Sequence, residues 1–362
     1  MDSEHEQGND RTTGGQQPGE SQSAPNANSE GSPPGQRNRK RGLLIGGAIA
    51  LGLLFLTAGA IVLVLATGLG GGSVAAPETF EEKYVSGEGA DKIAILPVAG
   101  LIGPDDSSSL GTPAATPETL RNQLRQAAED DSVKAVILEI NSPGGGVVAS
   151  DQMHQNIEDF KEKTKKPVVV SMDETAASGG YYIATAADKI VANPATITGS
   201  LGTILSILNY DEAEQKLGLK EEIYKSDEYK DILSGSRERT PEEQKIIQDL
   251  INEDYDQFVG VIVEGRSLPE DRVRELADGR IYSGTQAQGL GLVDELGDLE
   301  KAADVSRDLA GIEEATVVRY KRSQGLIELL QSRLAPSKPE ALQILESAGI
   351  SPTPELQYLY RP

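Results

Sequence analysis

The 362-residue chain has no cysteine and no tryptophan, only four phenylalanines and only two histidines. Without cysteine there is no disulfide, no thiol nucleophile and no thiolate-bound metal. With aromatics at 4%, the core has to be built mainly from Val, Ile, Leu and Ala. Basic side chains are also short, 34 against 57 acidic, for a net charge of −23. That balance argues against a nucleic-acid partner, because phosphate binding wants a basic face. It suits a heavily hydrated surface. A hydrophobic content of 38% with 25% charged residues still permits a real core, so most of the chain is expected to fold.

The first 36 residues are Gly, Gln, Asn, Ser, Pro and acidic residues with almost nothing apolar. They cannot bury enough surface to offset their ordering entropy, so residues 1–41 read as a disordered tail ending in the basic run Arg37-Asn-Arg-Lys-Arg41. An uncharged apolar run from Gly42 to Leu69 follows. At ~1.5 Å per residue it exceeds a hydrocarbon core of ~30 Å and reads as a single transmembrane helix. It is too long for the core of a cleaved signal peptide. Four positive charges precede it, and Glu78, Glu81 and Glu82 follow it, which puts the N-terminus in the cytoplasm and the rest outside. Residues 70–90, opening with Gly70-Gly-Gly-Gly-Ser73, read as a flexible linker.

From Asp91 onward, short apolar runs alternate with helical periods. Strands are expected at 92–98, 133–140, 168–172, 189–192 and 202–207. Thr116-Pro117 caps one helix, and another is expected over 147–163. Thr240-Pro-Glu-Glu243 is a capping box that opens a long amphipathic helix. The alternation predicts an α/β fold of repeated βαβ units with a mostly parallel sheet over 91–310, followed by a C-terminal extension, 311–362.

Within this frame, Asp173-Glu-Thr-Ala-Ala-Ser-Gly-Gly-Tyr-Tyr182 places Ser178 where a strand breaks into a short helix expected at 183–188. Small neighbours allow a sharp turn that exposes a hydroxyl, as an acyl-transfer nucleophile requires. The same ten residues also fit a tight turn in which small side chains merely avoid clashes. Asn141-Ser-Pro-Gly-Gly-Gly146 offers free backbone amides, suited to an oxyanion, though an ordinary flexible loop has the same composition. No Lys-Ser/Thr follows, as a phosphate-binding P-loop would have. A serine nucleophile needs a base. His5 lies in the tail, and His154 has no evident reason to face Ser178, so a lysine becomes the candidate. It must be desolvated to be neutral, and composition does not say which lysine that is.

Together with Ala187-Asp-Lys-Ile190, Thr198-Gly-Ser-Leu-Gly202, Gly279-Arg-Ile-Tyr-Ser-Gly284 and Gly289-Leu-Gly-Leu-Val-Asp-Glu-Leu-Gly297, these stretches resemble the signal peptide peptidase A family over roughly residues 90–300. Members are membrane-anchored serine peptidases on the spiral fold shared with Clp proteases and crotonases. The resemblance implies Ser178 as nucleophile, Lys230 as general base, Ser200 as the hydroxyl that orients the lysine, and the amides of Gly145 and Gly179 as oxyanion donors. It implies no cofactor, a ring or dome of identical subunits, and apolar substrates such as cleaved signal peptides. The family usually has Ser-Gly shortly before the lysine, where this chain has Ser226-Asp227. Asp227, Glu228 and Asp231 would favour a charged Lys230 unless they point away. The apolar tail segment Leu356-Gln-Tyr-Leu-Tyr360 is expected either in the enzyme's own cleft or on a neighbouring subunit. Contacts between subunits are expected at the 246–262 helix and at 326–334. The rival readings are a crotonase-type enzyme acting on a CoA thioester and a non-catalytic membrane scaffold of the same fold.

Overall fold

The computed structural model describes residues 79–104, 114–322 and 356–360. The tail at 1–41, the apolar run at 42–69 and the stretch at 326–334 lie outside the described residues. Among the described residues no helix is long and apolar enough to cross a membrane.

In chain order the elements are β1 (Phe80–Ser86), β2 (Lys92–Ala99), α1 (Pro117–Glu129), β3 (Val133–Ser142), β4 (Gly144–Gly146), α2 (Val147–Thr164), β5 (Val168–Ala177) and α3 (Gly179–Ala184). Then come β6 (Lys189–Ala192), β7 (Ile197–Gly199), β8 (Ile204–Leu205), α4 (Asp211–Leu217) and a 3-10 turn at Glu228–Asp231. The C-terminal part holds α5 (Pro241–Arg266), α6 (Glu270–Leu276), β9 (Ile281–Ser283), α7 (Gly284–Gly289), β10 (Glu295–Leu296), α8 (Leu299–Ala310), β11 (Thr316–Arg322) and β12 (Leu356–Leu359).

The main sheet runs β1-β11-β2-β3-β5-β6-β10, with β7 on the far end of β5 and β9 beside β7. Every pairing from β11 to β10, and β5 with β7, is parallel; β1 with β11 and β7 with β9 are antiparallel. This is the α/β class with a largely parallel sheet, and it fits a Clp- or crotonase-like peptidase. A parallel sheet covered on both faces needs strands apolar on both sides. β2 and β3 meet that need: Ile93, Ile95, Ala135 and Ile137 pack against Ala302, Ala303 and Val305 of α8. Their alternates Ala94, Leu96, Val136 and Leu138 belong to the larger core that α1, α2, α3 and α5 cover. Both expected helix starts are capped. Thr116 accepts from the Thr119 N–H, and Thr240 with Glu243 forms the full capping box.

Four expectations change. Residues 70–90 are expected as a linker, yet β1 begins at Phe80 and pairs along β11. Phe80 is buried against Tyr320 (ring centroids 6.3 Å apart), and Gln126 bonds both its N–H and its carbonyl (2.8 and 2.9 Å). β11 itself lies past residue 310 and is nevertheless a parallel neighbour of β2. Both strands carry charged residues on both faces, and their pairing depends on partners more than 200 residues away. No local pattern could announce that. The helix after Ser178 begins at Gly179, not Ile183, and the last strand of the 202–207 stretch shrinks to Ile204–Leu205.

Candidate active site

β5 carries the chain into Ala177, and α3 carries it away from Gly179, so Ser178 takes the whole change of direction. Its backbone sits at φ 52°, ψ −114°, a conformation that costs a non-glycine residue of order 1–3 kcal/mol. Two hydrogen bonds hold it there: the Ser178 N–H donates to the Gly199 carbonyl, and its carbonyl accepts from the Tyr182 N–H, both at 2.8 Å. The hydroxyl is buried, 1% of the residue being exposed, and has no hydrogen-bond partner among the described residues. A strained backbone and a lone buried hydroxyl are both costs to the fold, and a residue held in this way is a candidate nucleophile.

The Gly145 and Gly179 backbones meet at this point. A Cβ on Gly179 would fall 2.5 Å from Ser150 Oγ and 3.2 Å from the Gly145 nitrogen. A Cβ on Gly145 would fall 2.0 Å from the Ile102 carbonyl oxygen. Only bare backbone lets β4 close on the first turn of α3. Ile102 clamps β4 from outside: it donates to the Gly144 carbonyl (2.9 Å) and accepts from the Gly146 N–H (3.0 Å). This leaves the intervening Gly145 amide facing the other way. Gly179, at the first position of its helix, has no intrahelical acceptor for its N–H. Gly145→Ala should therefore displace β4 and lower kcat about 100-fold, the usual scale for a lost oxyanion donor, with KM changing much less. Steady-state kinetics on an apolar peptide checks this, and a kcat within threefold of wild type would remove Gly145 from the site.

Ser200 follows Gly199 and so lies one residue from the strand end that fixes Ser178. It too has positive φ, 50°, and its N–H donates to the Arg280 carbonyl (2.7 Å). It lines a cleft of about 390 Å³ with Leu201, Ile204, Ile251, Tyr255 and Leu359. Ser178, Ser200, Gly145 and Gly179 are thus brought to one end of the sheet. Lys230 is not. It sits on the exposed 3-10 turn, and among the described residues its ammonium has no partner and does not reach Ser178. Two of the acidic residues around it are occupied elsewhere. Asp231 binds Arg237 and Lys225, each at 2.7 Å, which hold its carboxyl far below the usual range. Asp227 caps the turn through the Glu228 N–H. His154 is buried, not partly exposed as a surface-helix histidine would be. Its ring meets Tyr182 edge-on (5.4 Å), its Nδ1 lies 3.8 Å from Glu158, and burial pushes its pKa down. None of these contacts is with Ser178.

The tail segment occupies the chain's own cleft. β12 lies antiparallel between β4 and β8, and the Tyr360 N–H donates to the Pro143 carbonyl (2.8 Å). Tyr358 is fully buried, stacked on Tyr182 (5.0 Å) and tilted on Phe258 (4.6 Å). The aromatic pair Tyr182 and Phe258 escaped sequence reasoning. The two residues lie 76 positions apart in sequence, and each reads locally as an ordinary core position. Removing residues 350–362 should raise kcat/KM about tenfold, since any fraction of time the tail fills the cleft lowers apparent affinity in proportion. Unchanged kinetics in the shortened protein would show that the tail does not compete.

The profile of peptidase family S49 matches residues 160–313, which include Ser178, Ser200 and Lys230. The chain is 38% identical over 293 residues to a protein of Enterococcus faecium named for signal peptide peptidase SppA, covering 78% of this chain and 85% of that one. It is 34% identical to the chloroplastic serine protease SPPA of Arabidopsis thaliana, over 72% of this chain and 38% of that one. Protease 4 of Haemophilus influenzae is 37% identical, over 63% of this chain and 36% of that one.

Proposed function

The chain belongs to peptidase family S49 and is a serine peptidase, and from that premise we propose that it is a membrane-anchored endopeptidase that cleaves apolar peptides, such as signal-peptide remnants, through a Ser–Lys dyad. The observation that carries this reading is the lone buried hydroxyl of Ser178, set at a strained turn beside two glycine amides. Lys230, neutral, accepts the Ser178 proton as Oγ attacks the peptide carbonyl carbon. The Gly145 and Gly179 amides receive the negative oxygen. The lysine then gives its proton to the leaving amine, and an acyl-enzyme remains. Water, deprotonated by the same lysine, attacks the ester and frees Ser178. Ser200 orients the lysine amine.

Lys230 of a neighbouring copy supplies the base. Among the described residues the Ser178 hydroxyl lacks any partner and Lys230 stands exposed on an arm whose helix α4 buries nothing. The same arm exposes Leu217, Leu219, Ile223, Tyr224 and Tyr229, an apolar surface suited to contact with another subunit. Ile246 and Leu250 of α5 are exposed too, in line with a contact at the 246–262 helix. The apolar run at 42–69 anchors the protein, with residues 1–41 in the cytoplasm and the peptidase outside, where membrane-derived peptides are released. Protection of the peptidase from added protease in intact spheroplasts would reverse that orientation.

The test is a fluorophosphonate probe together with apolar fluorogenic peptides. Labelling at Ser178 and cleavage are expected. A folded protein that neither labels nor cleaves would be a scaffold of this fold, and one that instead hydrolyses a CoA thioester would be a crotonase-type enzyme.

A further inference from the structure

We propose that Arg237, held between the carboxylates of Asp231 and Glu243, is a positioning residue for Lys230: it ties the turn bearing the base to the first turn of α5. The inference deepens the Ser–Lys reading and rests on it.

The turn itself has little apolar support. Residues 221–230 are all exposed, and the 3-10 turn Glu228–Asp231 contributes no buried side chain. A general base must bring its amine within hydrogen-bond reach of the nucleophile, so a turn that wanders would spend little time in a productive place. Charged groups supply the restraint. Asp231, the residue after Lys230, lies side-on to Arg237, whose Nε donates to Oδ2 (3.0 Å) and whose Nη2 donates to Oδ1 (2.7 Å). The other edge of the same guanidinium meets Glu243, with Nη1 donating to Oε2 (2.9 Å) and Nη2 to Oε1. Lys225 closes the turn from its other end, donating to the Glu228 carbonyl (2.8 Å) and to Asp231 Oδ1 (2.7 Å).

Glu243 makes this an anchor. It is the third residue of α5 and a member of the capping box, its Oε2 also accepting from the Thr240 N–H (2.9 Å). Phe258, Val259 and Ile262 fix α5 in the core. A continuous path therefore runs from the core through α5, Glu243, Arg237 and Asp231 to Lys230. Burial separates this clamp from an ordinary surface network. Arg274 also bridges two carboxylates, Asp256 and Glu270, but their side chains are 60% and 61% exposed, where ion pairs contribute little. Those of Asp231 and Glu243 are 9% and 2% exposed. Carboxylates so enclosed need their partner in one place, and a planar guanidinium can serve both at once. The clamp also keeps the Asp231 carboxylate turned to Arg237 and Lys225 rather than to the Lys230 ammonium.

The experiment compares full-length wild type with Arg237→Lys, Glu243→Gln, Arg274→Gln and Lys230→Ala, by steady-state kinetics on an apolar fluorogenic peptide and by amide hydrogen exchange. Lysine keeps the charge of Arg237 and loses its two-edged fork, while glutamine keeps the capping box and loses the charge of Glu243. Both clamp variants should lower kcat about 30-fold and change KM less than about twofold, as a misplaced catalytic group does. Exchange at residues 228–234 should quicken about tenfold in both, with residues 176–184 unchanged, because only the turn opens more often. Arg274→Gln should match wild type in kcat, KM and exchange. A kcat within about threefold of wild type in Arg237→Lys, below the loss expected of a misplaced base, overturns the clamp. So does a loss carried by KM, or unchanged exchange at 228–234. Faster exchange at 176–184 as well would make Arg237 a support of the whole fold and overturn its positioning role. Wild-type cleavage by Lys230→Ala overturns the lysine reading and the clamp with it, whereas an inactive Lys230→Ala beside a fully active Arg237→Lys overturns the clamp alone.

Discussion

Ser178→Ala is expected to leave a folded protein with no measurable peptide cleavage, a loss of at least about 1,000-fold in kcat. The substitution removes one atom, and that atom is the proposed nucleophile. It also removes a buried hydroxyl that has no partner among the described residues, a group that costs a fold about 1–3 kcal/mol. The alanine variant should therefore melt at the wild-type temperature or above it, while alanine meets the same positive φ that serine does. The two readouts together are diagnostic, because a merely structural serine would lose stability and activity in step. Thermal melts beside a fluorogenic peptide assay decide it. Retention of more than a few per cent of wild-type kcat would require another nucleophile.

Lys230→Ala should abolish cleavage to a similar degree and leave the melting temperature unchanged, because Lys230 is exposed and its ammonium makes no hydrogen bond or ion pair among the described residues. The stronger expectation concerns mixtures. If the base comes from a neighbouring copy across a heterologous interface, co-expressing Ser178→Ala with Lys230→Ala should rebuild intact sites. Random assembly pairs an intact serine with an intact lysine at about a quarter of them, and activity should return to about that fraction of wild type. No recovery in assembled mixtures would place both groups in one subunit, and would then require the arm around residues 217–233 to fold back over its own cleft. Full activity in Lys230→Ala alone would assign the base to another side chain.

Local sequence carried the strand–helix alternation and both capped helix starts, whereas the glycine stretch expected as a loop is the strand β4. Each depends on neighbours within a few residues: apolar runs for strands, Thr116 and Thr240 for caps, small side chains around Ser178. The same locality explains why Ser178 and the stretch Asn141-Ser-Pro-Gly-Gly-Gly146 could be singled out before any fold was known, whereas the choice of Gly145 and Gly179 as donors came from resemblance. Their required chemistry, a hydroxyl at a sharp turn and amides without a Cβ in the way, is written in residue type. Lys230 had no such signal, since an exposed lysine among acids looks like any other, and only resemblance pointed to it.

Tertiary structure decided what depends on distant partners. β1 is a strand because β11 offers it an edge, and Phe80 is buried because Tyr320 and Gln126 receive it. Ile102 turns out to be the clamp that aims Gly145, which no spacing in the chain suggests. The placement of β12 between β4 and β8 depends on two open strand edges and on an aromatic pocket shared by α3 and α5. Side-chain chemistry is a local property and can be read along the chain. Which backbone edges are left unpaired, and which segment covers them, is fixed only when the whole sheet has assembled.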